Sequence, residues 1–160
     1  MLLGVVSDSH GHVQMTSEAI DMLTALEVEH VIHCGDIGSE AIIPLFEPWP
    51  TQFVLGNVDY HEEPLARAIE QTGQTFCGRF GTLELAGRRI AFLHGDDTRR
   101  LGETIESGEW DLVCSGHTHV AAVEQYGRTL ALNPGAIYRA NPHSIAVVEL
   151  PEVRATIVPL

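Results

Sequence analysis

Leu2-Leu3-Gly4-Val5-Val6-Ser7-Asp8-Ser9-His10-Gly11 is the stretch whose reading decides the fold. Residues 2–6 are apolar throughout, which predicts a buried strand. The run then breaks into Asp8-Ser9-His10, two potential metal ligands two residues apart. If that segment is extended, both side chains share a face. Gly11 lets the backbone turn toward a helix over 13–28, where Met15, Ala19, Met22 and Leu26 recur at helical spacing.

The same event, an apolar run broken by a short polar segment, recurs four times. VIHC at 31–34 precedes Gly35-Asp36, and FVL at 53–55 precedes Gly56-Asn57. RIAFL at 89–93 precedes His94-Gly95-Asp96, and DLVC at 111–114 leads to Gly116-His117-Thr118-His119. Strands that end on ligands deliver them to the carboxyl edge of a sheet, where open α/β folds place their sites. Each segment alone has an ordinary reading as a cap, a turn or a surface histidine. Five in order imply one site built from Asp8, His10, Asp36, Asn57, His94, His117 and His119. His33 lies within a strand and reads as a core or supporting histidine, and Asp59 as a residue that holds a ligand in place.

Around these segments the first 56 residues read β-α-β-α-β. Strands are expected at 2–6, 30–34 and 51–55, and a short helix at 39–46 stopped by Pro44, Pro48 and Pro50. That pattern predicts parallel pairing with helices on the sheet. A helix at 62–71 follows, then a hairpin of 80–86 with 88–94 around Gly87, a helix at 98–107 and a strand at 111–115. Short strands at 119–125, 129–133, 144–150 and 153–158 complete the chain. A half rich in crossovers followed by a half rich in hairpins predicts two sheets face to face, with helices outside.

Length suits one domain over residues 1–160 with a real core. No apolar run reaches the roughly 18 residues of a membrane span, and the N-terminus lacks a signal-peptide pattern. Cys34, Cys77 and Cys114 contain no C-x-x-C pair and read as buried thiols in a reducing compartment, so a cytoplasmic location is expected. Nine basic against 22 acidic residues give a net charge of −13, which argues against nucleic-acid duplexes and anionic membranes as partners. Two divalent cations would add four positive charges to that −13, giving −9 and concentrating the gain in one pocket.

Mixed carboxylate, imidazole and amide ligands without a thiolate disfavour a structural zinc site and suit Mn²⁺, with Fe²⁺, Zn²⁺, Co²⁺ or Ni²⁺ as alternatives. Two such ions about 3.5–4 Å apart would generate a bridging hydroxide and clamp phosphoryl oxygens for in-line attack.

The D-x-H, G-D, G-N, H and G-H-x-H segments, in this order over residues 8–119, resemble the calcineurin-like metallophosphoesterases. Asn133-Pro134-Gly135 followed by a strand is similar to the small bacterial and archaeal phosphodiesterase branch of that family. The resemblance implies a four-layer α-β-β-α sandwich of mixed sheets and a dinuclear site. It assigns Asp8, His10 and His119 to one ion, Asn57, His94 and His117 to the other, and Asp36 to both. It also implies hydrolysis of a small phosphate ester, a phosphodiester in the first place. Many members carry a histidine after G-N that acts as a general acid, and here Val58 stands there. His61 is a substitute in reach of the same turn, though a surface histidine is its simpler reading, and no catalytic side chain is assigned. Asp96 replaces a second histidine frequent in the family's H-G-H segment.

A catalytically weak scaffold of the same fold is the competing reading; it would be favoured by a missing ligand, and all seven are present. The oligomeric state, monomer or homodimer, stays open.

Overall fold

The computed structural model describes residues 1–160. Its strands are β1 (Leu2–Val6), β2 (His30–His33), β3 (Thr51–Phe53), β4 (Thr75–Phe76), β5 (Phe80–Leu85), β6 (Arg88–Leu93), β7 (Leu112–Cys114), β8 (Ala122–Tyr126), β9 (Thr129–Asn133), β10 (Ser144–Glu149) and β11 (Arg154–Pro159). Its α-helices are α1 (Val13–Ala25), α2 (Glu62–Gln71) and α3 (Thr98–Glu106), with a 3₁₀ helix at Glu40–Phe46. One sheet runs β11-β10-β1-β2-β3-β4 and the other β5-β6-β7-β9-β8.

The β1-β2-β3-β4 pairs are parallel, as the crossover pattern predicts. The outer strands β10 and β11 add antiparallel, supplied by the hairpin-rich half. In the second sheet β5 and β6 form the expected hairpin, turning at Ala86 and Gly87, both at positive φ.

Side-chain alternation on β1 divides the core. Leu3 and Val5 face the second sheet and pack with Ile32, Ile90, Phe92, Leu112 and Leu132. Val6, on the other face, packs under the helices with Ala19, Leu23, Ile42, Phe46 and Ile69. Gly4 lies where α1 crosses, and a Cβ there would stand 2.6 Å from Leu23 Cδ2. A bare strand residue therefore lets the helix seat Leu23, whose complete burial contributes about 1.5–3 kcal/mol. On the outer face of the second sheet, Ala91, Leu93 and Val113 are covered by Leu101 and Ile105 of α3. The layers are thus helix, sheet, sheet, helix.

Several boundaries differ from expectation. Helix α1 ends at Ala25, not 28: Val28 N–H donates to Leu23 O and Glu27 N–H to Thr24 O, with Glu27 at φ 57°. This is a Schellman stop in which glutamate takes the left-handed position usually held by glycine, so no sequence signal marked it. The segment expected as a helix at 39–46 is a 3₁₀ helix, because Pro44 inside it has no N–H to donate. Strand β4 was not foreseen; two residues are too short for a periodicity to register. Strand β8 begins at 122, not 119, because His119 has a left-handed φ of 62° and the preceding residues form a loop. No helix is long and apolar enough to cross a membrane.

His33 illustrates how the core supports the strand ends. It is buried against Phe46 and Phe53, its Nδ1 accepts from Gly35 N–H, and its Nε2 lies 2.9 Å from Ser9 Oγ. The hydroxyl in turn donates to Ile37 O, so the ring ties the first two loops together as a neutral imidazole. Burial, with His94 adding to it, pushes its pKa down to about 3. Between that value and the ordinary 6.5 the unfolded chain binds the extra proton, so this group's effect is absent above pH 6.5 and destabilises the fold as pH falls. At pH 4.5 the loss is roughly 2–3 kcal/mol. Urea unfolding of metal-free protein at pH 7 and 4.5 is expected to show a smaller acid loss in His33→Gln than in the wild type. An equal loss in both proteins would place the acid sensitivity elsewhere.

Candidate metal centre

All five polar segments meet at one edge of the sandwich. Asp8 N–H donates to Gly35 O, and His10 N–H to Asp36 O. Gly116 N–H donates to His94 O, and His117 N–H to Asp8 Oδ2 at 3.1 Å. Asp59 accepts from the N–H groups of Ile37, Gly38 and Gly56, clamping the Gly35-Asp36 loop to the Gly56-Asn57 loop. Glycine is required where these loops touch: a Cβ on Gly56 would collide with Asp36 Oδ1, and one on Gly116 with Ser7 Oγ.

These segments are not extended, contrary to the reading of Asp8-Ser9-His10 as extended. Asp8, His10, Asp36, His117 and His119 all have left-handed φ between 46° and 70°. At His117 the Thr118 N–H closes back onto Gly116 O, a γ-turn with its central residue at positive φ. Such conformations cost on the order of 1–3 kcal/mol each in non-glycine residues and persist only where neighbours enforce them. They swing successive side chains into one point, which a flat strand would not do.

Asp8 is fully buried. Its Oδ2 accepts from Ser7 Oγ–H at 2.6 Å and from His117 N–H, while its Oδ1 has no hydrogen-bond partner. That bare oxygen lies 3.1 Å from His119 Nε2 and 3.6 Å from His10 Nε2. The two imidazole nitrogens are themselves 3.2 Å apart. Asp36 presents Oδ1 to Val58 N–H at 3.1 Å and turns Oδ2 inward, 3.7 Å from His10 Nε2 and 3.2 Å from His94 Nε2. Ligand atoms of Asp8, His10, Asp36 and His119 all lie within 4.8 Å of one another. His117 Nδ1 and Asn57 Oδ1 are 3.1 Å apart, and the His117 ring meets the His94 ring edge-on at 5.1 Å.

Backbone carbonyls set two of the histidines. His94 Nδ1–H donates to Cys34 O at 2.8 Å, and His119 Nδ1–H to Arg139 O at 3.0 Å. Each Nε2 is thereby left with a lone pair aimed at the carboxylates, the arrangement that metal-binding histidines adopt. Buried His94 Nε2 faces Asp36 Oδ2 at 3.2 Å and has no hydrogen-bond partner. Burial pulls the His94 pKa down, but the carboxylates of Asp36 and Asp8 outweigh it and the net shift is upward. Burial pushes Asp36 up, while His94, the Val58 N–H and His10 together carry it below its ordinary value. His10 moves down, by burial foremost, against the pull of Asp36 and Asp8.

The residues fit divalent cations by their own chemistry. Asp8 Oδ1 and His94 Nε2 are buried, unpartnered and turned toward the same few ångströms of space. Unsatisfied buried polar atoms are rare and costly, and here they are lone-pair donors without a proton between them.

A profile of the calcineurin-like phosphoesterase superfamily domain matches residues 1–153. The chain belongs to the calcineurin-like phosphoesterase superfamily. Among its relatives, a phosphodiesterase of Methanocaldococcus jannaschii is 31% identical over 138 residues, covering 84% of this chain and 83% of that protein. A probable metallophosphoesterase of Bacillus subtilis is 30% identical over 161 residues, covering 95% of this chain and 78% of the relative. The solved structure of an archaeal phosphodiesterase superposes with a TM-score of 0.92 over the whole of both chains, at 28% identity. Membership in this superfamily of phosphoester hydrolases implies divalent metal at the Asp/His cluster.

Some supporting groups were invisible in the sequence. The carbonyls of Cys34 and Arg139 act through the main chain, which side-chain identity does not report. Asn133, part of the N-P-G segment, donates through Nδ2 to Gly116 O at 2.8 Å and lies 3.1 Å from Thr118 Oγ1, bracing the His117 loop. His61 is exposed at the N-terminus of α2, caps nothing with its side chain, and lines a cleft together with Val58 and Tyr60.

Proposed function

We propose that this chain is a phosphodiesterase whose two divalent cations are held by Asp8, His10, Asp36, Asn57, His94, His117 and His119. One observation carries the reading: buried Asp8 Oδ1 and His94 Nε2 have no partner and converge with the inner oxygen of Asp36. Asp8, His10 and His119 form one donor group and Asn57, His94 and His117 the other, with Asp36 between them. When bound, two such cations supply Lewis-acid charge at the phosphoryl oxygens and a nucleophile at neutral pH. Mixed oxygen and nitrogen donors suit manganese, iron, zinc or cobalt better than magnesium or calcium, and manganese is the ion used to test the reading. The substrate is a small phosphorylated molecule.

The chain's own residues orient and exclude. Cys34 O and Arg139 O hold two imidazoles in the tautomer that presents Nε2. Ser7 and His117 N–H fix the Asp8 carboxylate so that only Oδ1 faces inward. Val58 offers no proton at the turn beside Asp36, so esters whose alcohol leaves unprotonated are favoured.

Bis-p-nitrophenyl phosphate is expected to be hydrolysed by protein loaded with Mn²⁺ and not by protein treated with EDTA. A dialkyl phosphate, whose leaving oxygen needs a proton, should turn over at least about 10²-fold more slowly. Metal-loaded protein that turns over neither ester would favour the scaffold reading.

A further inference from the structure

The outer face of the second sheet is only half covered. Ala91 on β6, Val113 on β7, Ala131 on β9 and Glu124 on β8 stand in register across that face. Helix α3 packs over the first two through Leu101 and Ile105 and approaches β9, leaving the β8 side of the face uncovered. What remains is a groove of about 370 Å³ with Ala131 at its base. Leu101 and Ile105 form one wall, and Val120, Ala122 and Tyr126 the other. Val120 is 65% exposed and Tyr126 45%, so large apolar surface faces water here. Tyr126 hydroxyl donates to Glu124 at the far rim, giving the groove a polar margin.

Its head belongs to the metal centre. Gly95, His117 and Thr118 line it, and His117 is the residue whose ring meets His94 and whose Nδ1 faces Asn57. An apolar channel that ends on a ligand loop is placed to receive a group attached to the reacting phosphorus. Its volume lies within the range of small-molecule pockets, about 300–1,000 Å³, whereas a stable protein interface needs on the order of 800 Å² on each partner.

We infer that this groove binds the apolar substituent of the substrate, so that the preferred substrates are phosphodiesters carrying one alkyl or aryl alcohol. The inference rests on the phosphodiesterase reading above, and deepens it by naming the substrate class. Each buried methylene is worth about a fourfold gain in affinity, so two give at least about tenfold.

Calorimetric titration of Mn²⁺-loaded protein with hexylphosphonate and methylphosphonate tests it without turnover. Hexylphosphonate is expected to bind at least about tenfold more tightly. Ala131→Phe, which fills the groove, should bring the two dissociation constants together, and Val120→Ser, at an exposed site tolerant of change, should narrow the gap. Val123→Ser, on β8 but outside the groove, should keep the full preference. Equal affinities in the wild type, or an undiminished preference in both groove variants, would overturn the proposal. So would a wild-type dimer that Ala131→Phe converts to a monomer, since a second copy would then cover the groove. Loss of phosphodiester turnover with the hexyl preference intact would instead defeat the phosphodiesterase reading and leave the apolar site standing.

Discussion

Asp36→Ala is expected to lower kcat/KM on bis-p-nitrophenyl phosphate by about a thousandfold or more, with EDTA-treated protein folded as before. The inner oxygen of Asp36 lies 3.2 Å from His94 Nε2 and 3.7 Å from His10 Nε2, one histidine from each donor group. Removing it strips both groups of a shared negative charge, so two cations would face each other unshielded. Stabilisation of several kcal/mol by metal charge converts to three or more decades in rate. Metal content by mass spectrometry should fall with activity. A variant that keeps two bound ions and near wild-type turnover would show that Asp36 is not the shared ligand.

Metal removal should also lower stability strongly. Ligands that bind only the folded state stabilise it by about 4 kcal/mol at a thousandfold excess over Kd. In a chain of this size that raises Tm by about 10 °C. Differential scanning fluorimetry with Mn²⁺ and with EDTA is expected to show a shift of this order in the wild type. Asp8→Asn should abolish most of it. The amide keeps the volume and can still accept from Ser7 and His117 N–H, while its Nδ2 meets the lone pair of His119 Nε2 in place of the bare carboxylate oxygen. Metal-free Asp8→Asn should therefore be at least as stable as metal-free wild type, because an uncompensated buried charge is gone. A full Mn²⁺ shift in this variant would mean the cations are bound elsewhere.

The parallel half of the fold was legible because β1, β2 and β3 are apolar runs that break on polar ligand segments, and because α1 carries its apolar residues at helical spacing. The gathering of the five segments at one edge followed from that same strand logic. Local conformation was not legible. Left-handed φ at Asp8, His10, Asp36, His117 and His119 is imposed by tertiary hydrogen bonds such as Asp8 N–H to Gly35 O, made by residues distant in sequence. Glu27 ends α1 in a position where glycine is the usual marker, so the helix read three residues too long. The orienting carbonyls of Cys34 and Arg139 have no side-chain signature at all. Pro44 was read as a stop and instead lies inside a helix of tighter pitch. The half-covered face beside α3 also escaped the sequence, since coverage depends on where a nine-residue helix lands on a five-stranded sheet.

The most direct measurement is anomalous diffraction at the manganese edge from crystals grown with Mn²⁺. Two peaks are predicted, one contacting Asp8, His10 and His119, the other Asn57, His94 and His117, with Asp36 touching both. A single peak, or peaks that leave Asp36 or the Asn57–His117 pair without contact, would contradict the two-cation site.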